Sequence, residues 1–188
     1  MTKTVTRDEI VDYVTYEEQR DAVRASAMRA KDARRVHVGP YLTFLFENHE
    51  TMRYQVQEMM RAERMVKEAD ILHEIETYNE LLGGPGEAGC TLLVEVDDPG
   101  ERAVKLARWL DLPKHLYVVK ADGTKAYARY DERQVGETRV SSVQYLRFET
   151  GPQAPVAVGC DHPDPELKHE TGLTDAQRAA LQEDLASY

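Results

Sequence analysis

The run from Tyr41 to Leu82 holds neither proline nor glycine, and Gly39-Pro40 and Gly83-Gly84-Pro85-Gly86 close it on either side. A stretch of that length, rich in Met, Leu, Glu and Gln, predicts one long acidic helix. At about 3.6 residues per turn, Leu45, Met52, Val56, Met59 and Val66 fall on one stripe, as a core-facing helix requires. His49, Glu63, Asp70 and Glu74 fall inside that stripe, and His73 lies at its edge. An unpaired buried carboxylate costs several kcal/mol, so these groups need partners, a metal, water or a break in the helix.

Metal binding is the sharper of these expectations. Asp70 and His73 are three positions apart and project from one side of a helix. Carboxylate-x-x-His is the pattern that di-metal bundles use, although here it occurs once rather than twice. Glu63, Asp70, His73 and Glu74 form the candidate ligand set, and oxygen with imidazole donors suits Fe, Mn or Zn. The competing expectation is a bend near 63–67. From Ile71 onward the apolar positions (Ile71, Ile75, Tyr78, Leu82) are rotated by ~70° from the earlier stripe. A bend would return the acids to solvent or to Arg61, Arg64 and Lys67.

Before this run, Thr6 with Glu9 and Thr15 with Glu18 read as capping boxes. A helix over 16–35 would bury Tyr16, Val23, Ala27 and Ala30, and Val36-His37-Val38 reads as a strand. The basic run from Arg29 to Arg35 is expected to pair with the acidic helix, since no glycine-rich phosphate loop accompanies it. After the glycines, Cys90 to Val96 reads as a buried strand. Asp98-Pro99 opens a helix over 100–110 that carries Val104, Leu106 and Trp109. Asp122-Gly123 marks a hairpin between 115–120 and 124–130. Residues 140–148 alternate, with Val143, Tyr145 and Phe148 set against Ser142, Gln144 and Arg147. Pro155 to Val158 reads as an edge strand, and Thr174 with Gln177 caps a last short helix over 175–185. The fold class is therefore α+β, helices first and then a mainly antiparallel sheet with one crossing helix. One domain spans 1–188: a helical half (1–82), a glycine-rich hinge (83–89) and an α+β half (90–188).

Two further constellations contain reactive side chains. Cys160-Asp161-His162, with His169 seven positions on, offers zinc donors without the usual spacing, and its prolines suggest an exposed irregular loop. A Cys160–His162 dyad lacks a marked oxyanion hole. His37 and His115 sit beside strands and read as packing or surface residues.

The net charge of −10 argues against nucleic acid and against anionic membranes. No apolar run approaches the ~20 residues that span a bilayer, and the first residues lack a signal-peptide core. Two cysteines without a CxxC partner suit a reducing, cytoplasmic setting.

Several segments together resemble an uncharacterised bacterial family, domain of unknown function 3501. They are Arg34-Arg35-Val36-His37-Val38-Gly39-Pro40, Phe46-Glu47-Asn48-His49-Glu50-Thr51-Met52, Gln55-Val56-Gln57-Glu58-Met59 and His73-Glu74-Ile75-Glu76-Thr77-Tyr78-Asn79-Glu80-Leu81-Leu82. Thr91-Leu92-Leu93-Val94-Glu95-Val96 and Ser142-Val143-Gln144-Tyr145-Leu146-Arg147-Phe148 complete the match. The resemblance implies genes beside those for rubrerythrin-like proteins and iron–sulfur oxidoreductases, and hence an accessory role in cytosolic redox or oxidative-stress defence. It assigns no catalytic residues.

Three functions follow as expectations. The first is an accessory protein that contacts such a partner through Met52, Met59 and Met60 and holds one metal on its long helix. The second is a metal-dependent enzyme with a carboxylate–histidine site on that helix. The third is a structural homodimer without chemistry.

Overall fold

Short strands, most of them apolar on at least one face, build the centre of the molecule. The computed structural model describes residues 3–187, and among these there are eight strands. In chain order the elements are α1 (Tyr13–Asp32), β1 (Arg35–Val38), β2 (Leu42–Phe46), α2 (His49–Glu63), α3 (Glu68–Asn79) and β3 (Glu87–Val94). They continue with α4 (Pro99–Arg108), β4 (Leu116–Val119), β5 (Lys125–Tyr127), β6 (Val143–Glu149), β7 (Ala157–Cys160), β8 (His169–Gly172) and α5 (Asp175–Ala186).

Both sheets are antiparallel and four-stranded. The first runs β1-β2-β3-β6 and the second β5-β4-β7-β8. Their edges meet: Arg129 and Arg147 exchange backbone hydrogen bonds of 2.8 and 2.9 Å, and the Thr171 hydroxyl donates to the His37 carbonyl at 2.8 Å. Pairing at the edges satisfies strand groups that would otherwise be open. Phe44, Phe46, Phe148 and Leu92 of the first sheet face Val118 and Val158 of the second across one apolar core. Trp109 of the α4 exit and Leu181 and Leu185 of α5 join that core.

The helices α2 and α3, with the N-terminal segment, close a second core of Val5, Ile10, Met52, Val56, Met60, Ile71, Ile75 and Leu82. Gly89 lets this layer approach the sheet, because a Cβ there would lie 1.8 Å from the Leu81 carbonyl oxygen.

The expected long helix is instead a strand and two helices. Leu42-Thr43-Phe44-Leu45-Phe46 is buried throughout as β2, between β1 and β3. Its aromatic residues fit a pleated sheet, and burial on both faces removes the polar face that an exposed helix would need. The helical half therefore supplies two strands to the sheet, and Glu87–Gly89, expected as hinge, already belong to β3. The run breaks again at Arg64, which is left-handed at φ 49° and caps α2. This is the bend expected near 63–67.

The alternation in β6 is also reversed. Gln144, Leu146 and Phe148 are buried, while Val143 and Tyr145 are 39% and 40% exposed. Strand parity cannot put Val143, Tyr145 and Phe148 on one face. Two large apolar groups therefore decide the orientation, and Gln144 satisfies its amide by donating to the Ser141 carbonyl at 2.9 Å. Within its sheet β7 is a central strand rather than an edge, and Pro155 stands just before it. Val104 of α4 is exposed.

The basic run does not run along the acidic segment as an ion-pair ladder. Arg34 makes a bidentate pair with Asp184 of α5 at 2.7 and 2.8 Å, and Arg35, at the start of β1, pairs with Asp32 at the end of α1. The ion pairs between α1 and α2 come instead from Arg20 with Glu58 and Arg61 with Glu17. No described helix is long and apolar enough to cross a membrane.

Candidate metal centre

The end of α4 and the start of β4 are joined by a 3-10 turn, Leu112–His115. Leu112 and Pro113 are buried and anchor it, so Asp111 and His115 emerge together one turn apart. The antiparallel register then brings in a distant segment. Leu116 pairs with Cys160, and the Asp161 amide donates to the His115 carbonyl at 3.0 Å. His162, two residues beyond β7, therefore lies beside the turn.

Asp111, His115 and His162 place one donor atom each within 4.8 Å of one another. Asp111 Oδ1 lies 3.0 Å from His162 Nε2, and Asp111 Oδ2 lies 3.2 Å from His115 Nε2. The two imidazole rings meet edge to face at 5.0 Å. On its other side, His115 Nδ1 faces Asp161 Oδ1 at 3.2 Å, and Tyr127 donates to Asp161 Oδ2 at 2.6 Å. A carboxylate behind a ligating histidine, itself held by a further donor, is the outer-shell pattern of metal sites.

The protonation states carry information. A neutral imidazole donates from only one nitrogen. If His115 donates from Nδ1 to Asp161, its Nε2 lone pair faces the Asp111 carboxylate, which is favourable only with a proton or a metal ion between them. His162 differs, because its Nδ1 accepts the Asp164 amide N–H at 3.0 Å. Its proton is therefore on Nε2, towards Asp111. Metal uptake at that nitrogen would displace the proton to Nδ1 and break the hydrogen bond that the Asp164 N–H donates there. That costs about 1–3 kcal/mol, small beside the ~10–16 kcal/mol of a well-formed zinc site.

Asp111 is held below the ordinary carboxylate range by its hydrogen bond with His162, with His115 adding to it against a desolvation cost. At Asp161, burial is the largest influence and pushes upward, but Tyr127 and His115 together bring the net shift downward. The exposures grade outward, from His162 at 7% through His115 at 26% to Asp111 at 51%. One side of the cluster is thus open to solvent.

The loop that carries His162 is pinned rather than irregular. The indole of Trp109 donates to Asp164 at 2.8 Å, Lys105 pairs with Glu166 at 2.6 Å, and Leu167 is buried. Cys160 faces the core, and burial pushes its thiol up to about 11. A neutral, enclosed thiol is neither ligand nor nucleophile, so the Cys160–His162 dyad is not supported. Cys90 lies in the other sheet, and the His169 ring packs on Gly39.

The sequence-selected ligands lie elsewhere. Glu63 ends α2, and Asp70 and His73 are exposed on α3. Glu74 is half-buried, its carboxyl raised by burial and then by the charge of Glu63. No three of these four bring donor atoms within 4.8 Å of one another, because α3 turns Ile71 and Ile75 inward and leaves Asp70 and His73 in solvent. His49 pairs with Glu9 at 2.9 Å. Asp111 was not singled out by the sequence, and His115 was read as packing. The available signal was Asp-x-x-x-His before one strand and Asp-His after another.

A family model described as "Protein of unknown function (DUF3501)" matches residues 4–185. A crystal structure of a protein of unknown function from Burkholderia pseudomallei is 30% identical, with a TM-score of 0.87. The alignment covers 97% of this chain and 99% of that one. No curated protein matches.

Proposed function

Because the chain belongs to the DUF3501 family, whose description names no reaction, its function must be read from the site, and we propose that it holds one transition-metal ion between Asp111, His115 and His162. The observation that carries this reading is the imidazole of His115 with a carboxylate at each ring nitrogen. Two imidazoles and a carboxylate suit iron(II), manganese or zinc. Three protein ligands leave coordination positions vacant, and half-exposed Asp111 puts them on the solvent side. That arrangement favours an ion that exchanges ligands over a closed structural one.

The accessory role belongs to the same reading. An open site suits a redox or oxidative-stress system, the setting that the family resemblance implies. The partner would be a rubrerythrin-like or iron–sulfur oxidoreductase protein. Iron and manganese are then the ions to test first, with zinc as the redox-silent alternative.

Elemental mass spectrometry on tag-free protein from iron-, manganese- and zinc-supplemented cells tests the metal. Near one ion per chain, lost in His115→Ala and in His162→Ala, supports the site. Protein without metal, or metal retained by both variants, overturns it. Co-purification of a redox protein with wild type but not with a metal-free variant tests the accessory role.

A further inference from the structure

A second polar constellation lies on the other sheet, under the helices. Glu47 follows β2 directly and is only 7% exposed. Its carboxylate accepts the hydroxyls of Thr51 at 2.5 Å and Thr91 at 2.7 Å. It makes no ion pair among the described residues, although a carboxylate has room for about four hydrogen bonds. Glu47 and Thr91 line a cavity of about 300 Å³ between α1, α2 and the outer face of the first sheet.

Opposite charges share this cavity without touching. Lys31 of α1 lines it, half-buried, with its ammonium 5.2 Å from the centre of the Tyr54 ring and in no hydrogen bond or ion pair among the described residues. Burial lowers its pKa, and the charge of Glu47 opposes that shift. Arg35 adds a second cation at the wall. Met28, Leu45, Met52 and Leu93 supply an apolar part of the wall, and Gln55, Tyr78 and Tyr145 add polar groups beside it. A buried carboxylate and a half-buried ammonium that do not pair directly are costly unless something between them supplies each with a charged partner.

We propose that this cavity binds a small apolar amino acid, its ammonium received by Glu47 and its carboxylate by Lys31 and Arg35. The volume lies at the lower limit for small-molecule sites and leaves no room for a dinucleotide. Methionine and leucine walls suit an aliphatic or aromatic side chain. Tyr78, Leu81 and Tyr145 also line a larger open groove of about 540 Å³, which supplies an entry path. This site is independent of the metal centre, which uses none of these residues.

Calorimetric titration and thermal unfolding of the full chain test the proposal, with L-leucine and L-phenylalanine as probes. At a hundredfold excess over Kd, a bound amino acid raises Tm by roughly 5–10 °C. 3-Phenylpropionate, without the ammonium, and phenethylamine, without the carboxylate, bind at least about tenfold more weakly than phenylalanine, the effect of losing one charge-assisted contact. Glu47→Gln and Lys31→Met, checked for native circular dichroism, each weaken phenylalanine to a similar degree. No binding of either amino acid at millimolar concentration overturns the proposal. So does 3-phenylpropionate or phenethylamine binding as tightly as phenylalanine, and this comparison needs only wild-type protein. Folded variants that bind as wild type would also overturn it.

Discussion

Two sets of histidine and carboxylate groups occupy this molecule, and their difference separates spacing from convergence. On α3, Asp70 and His73 share a helix side, yet both stand in solvent and no third donor atom among the described residues completes a group within 4.8 Å. At the turn before β4, Asp111 and His115 also share one side, and the register of β4 with β7 delivers His162 to the same point and Asp161 to the far side of the His115 ring. A helix presents two donors in a row, whereas a metal needs three or four around a centre. Only an element from elsewhere in the chain supplies the rest. The energetic roles divide accordingly. The turn places polar groups around a point, and α3 contributes Ile71 and Ile75 to the second core.

The largest effect that would sharpen this contrast is on the metal itself. His162→Ala, with His115→Ala as the less buried companion, lowers zinc affinity by more than about 100-fold, beyond the range of outer-shell changes. Competition with a chromophoric chelator measures it. Undiminished affinity in both would erase the distinction between the two sets.

On α3 the corresponding change is one of stability. Ile75→Ala costs about 2–5 kcal/mol in chemical denaturation and leaves metal content unchanged. A cost below about 0.5 kcal/mol would show that α3 does not serve the core. A smaller effect is expected behind the metal: Asp161→Asn weakens binding by roughly tenfold, because a neutral amide cannot replace the carboxylate that orients His115. The same chelator competition reads it, and unchanged affinity would remove Asp161 from the site.

Acid titration gives a weaker signal still. The Asp111 carboxyl, followed by carbon NMR in metal-free protein, titrates below the ordinary ~3.9 and moves upward in His162→Ala. Because its folded value is depressed, its contribution to stability is complete above the unfolded value. It is lost as pH falls through the folded one. The contribution is modest, since the side chain is 51% exposed and solvent screens it. A titration at or above ~3.9 would contradict the hydrogen-bond network. The smallest effect belongs to Asp70→Ala/His73→Ala, which changes neither metal content nor, beyond about 0.5 kcal/mol, stability. Loss of metal in that variant would return the site to the helix and break the comparison.

Local signals were legible where they depend on neighbours in the chain. The Asp98 cap with Pro99 after it, the Asp122-Gly123 turn and the Thr174–Gln177 capping box all appear in place. So does the break in the acidic run, whose apolar stripe turns at the position where Arg64 leaves the helix. What failed was burial on both faces. Leu42-Thr43-Phe44-Leu45-Phe46 is buried throughout, so its periodicity cannot separate strand from helix.

By itself, then, the sequence determined the α+β class, the antiparallel hairpin, the caps at Thr6, Asp98 and Thr174, and the bend that ends α2, whereas the box expected at Thr15 gave way to Asp12 as the cap of α1. Each of these follows from steric and hydrogen-bonding preferences within a few residues. Tertiary structure alone decided which carboxylates and imidazoles meet. Asp111 and His162 are remote in the chain, and their approach depends on β4 pairing with β7 in one register. Burying Glu47 beside Thr91 likewise required β2 and β3 to lie side by side. Long-range pairing of this kind is set by how the apolar faces of distant segments fit together, and no local pattern records it.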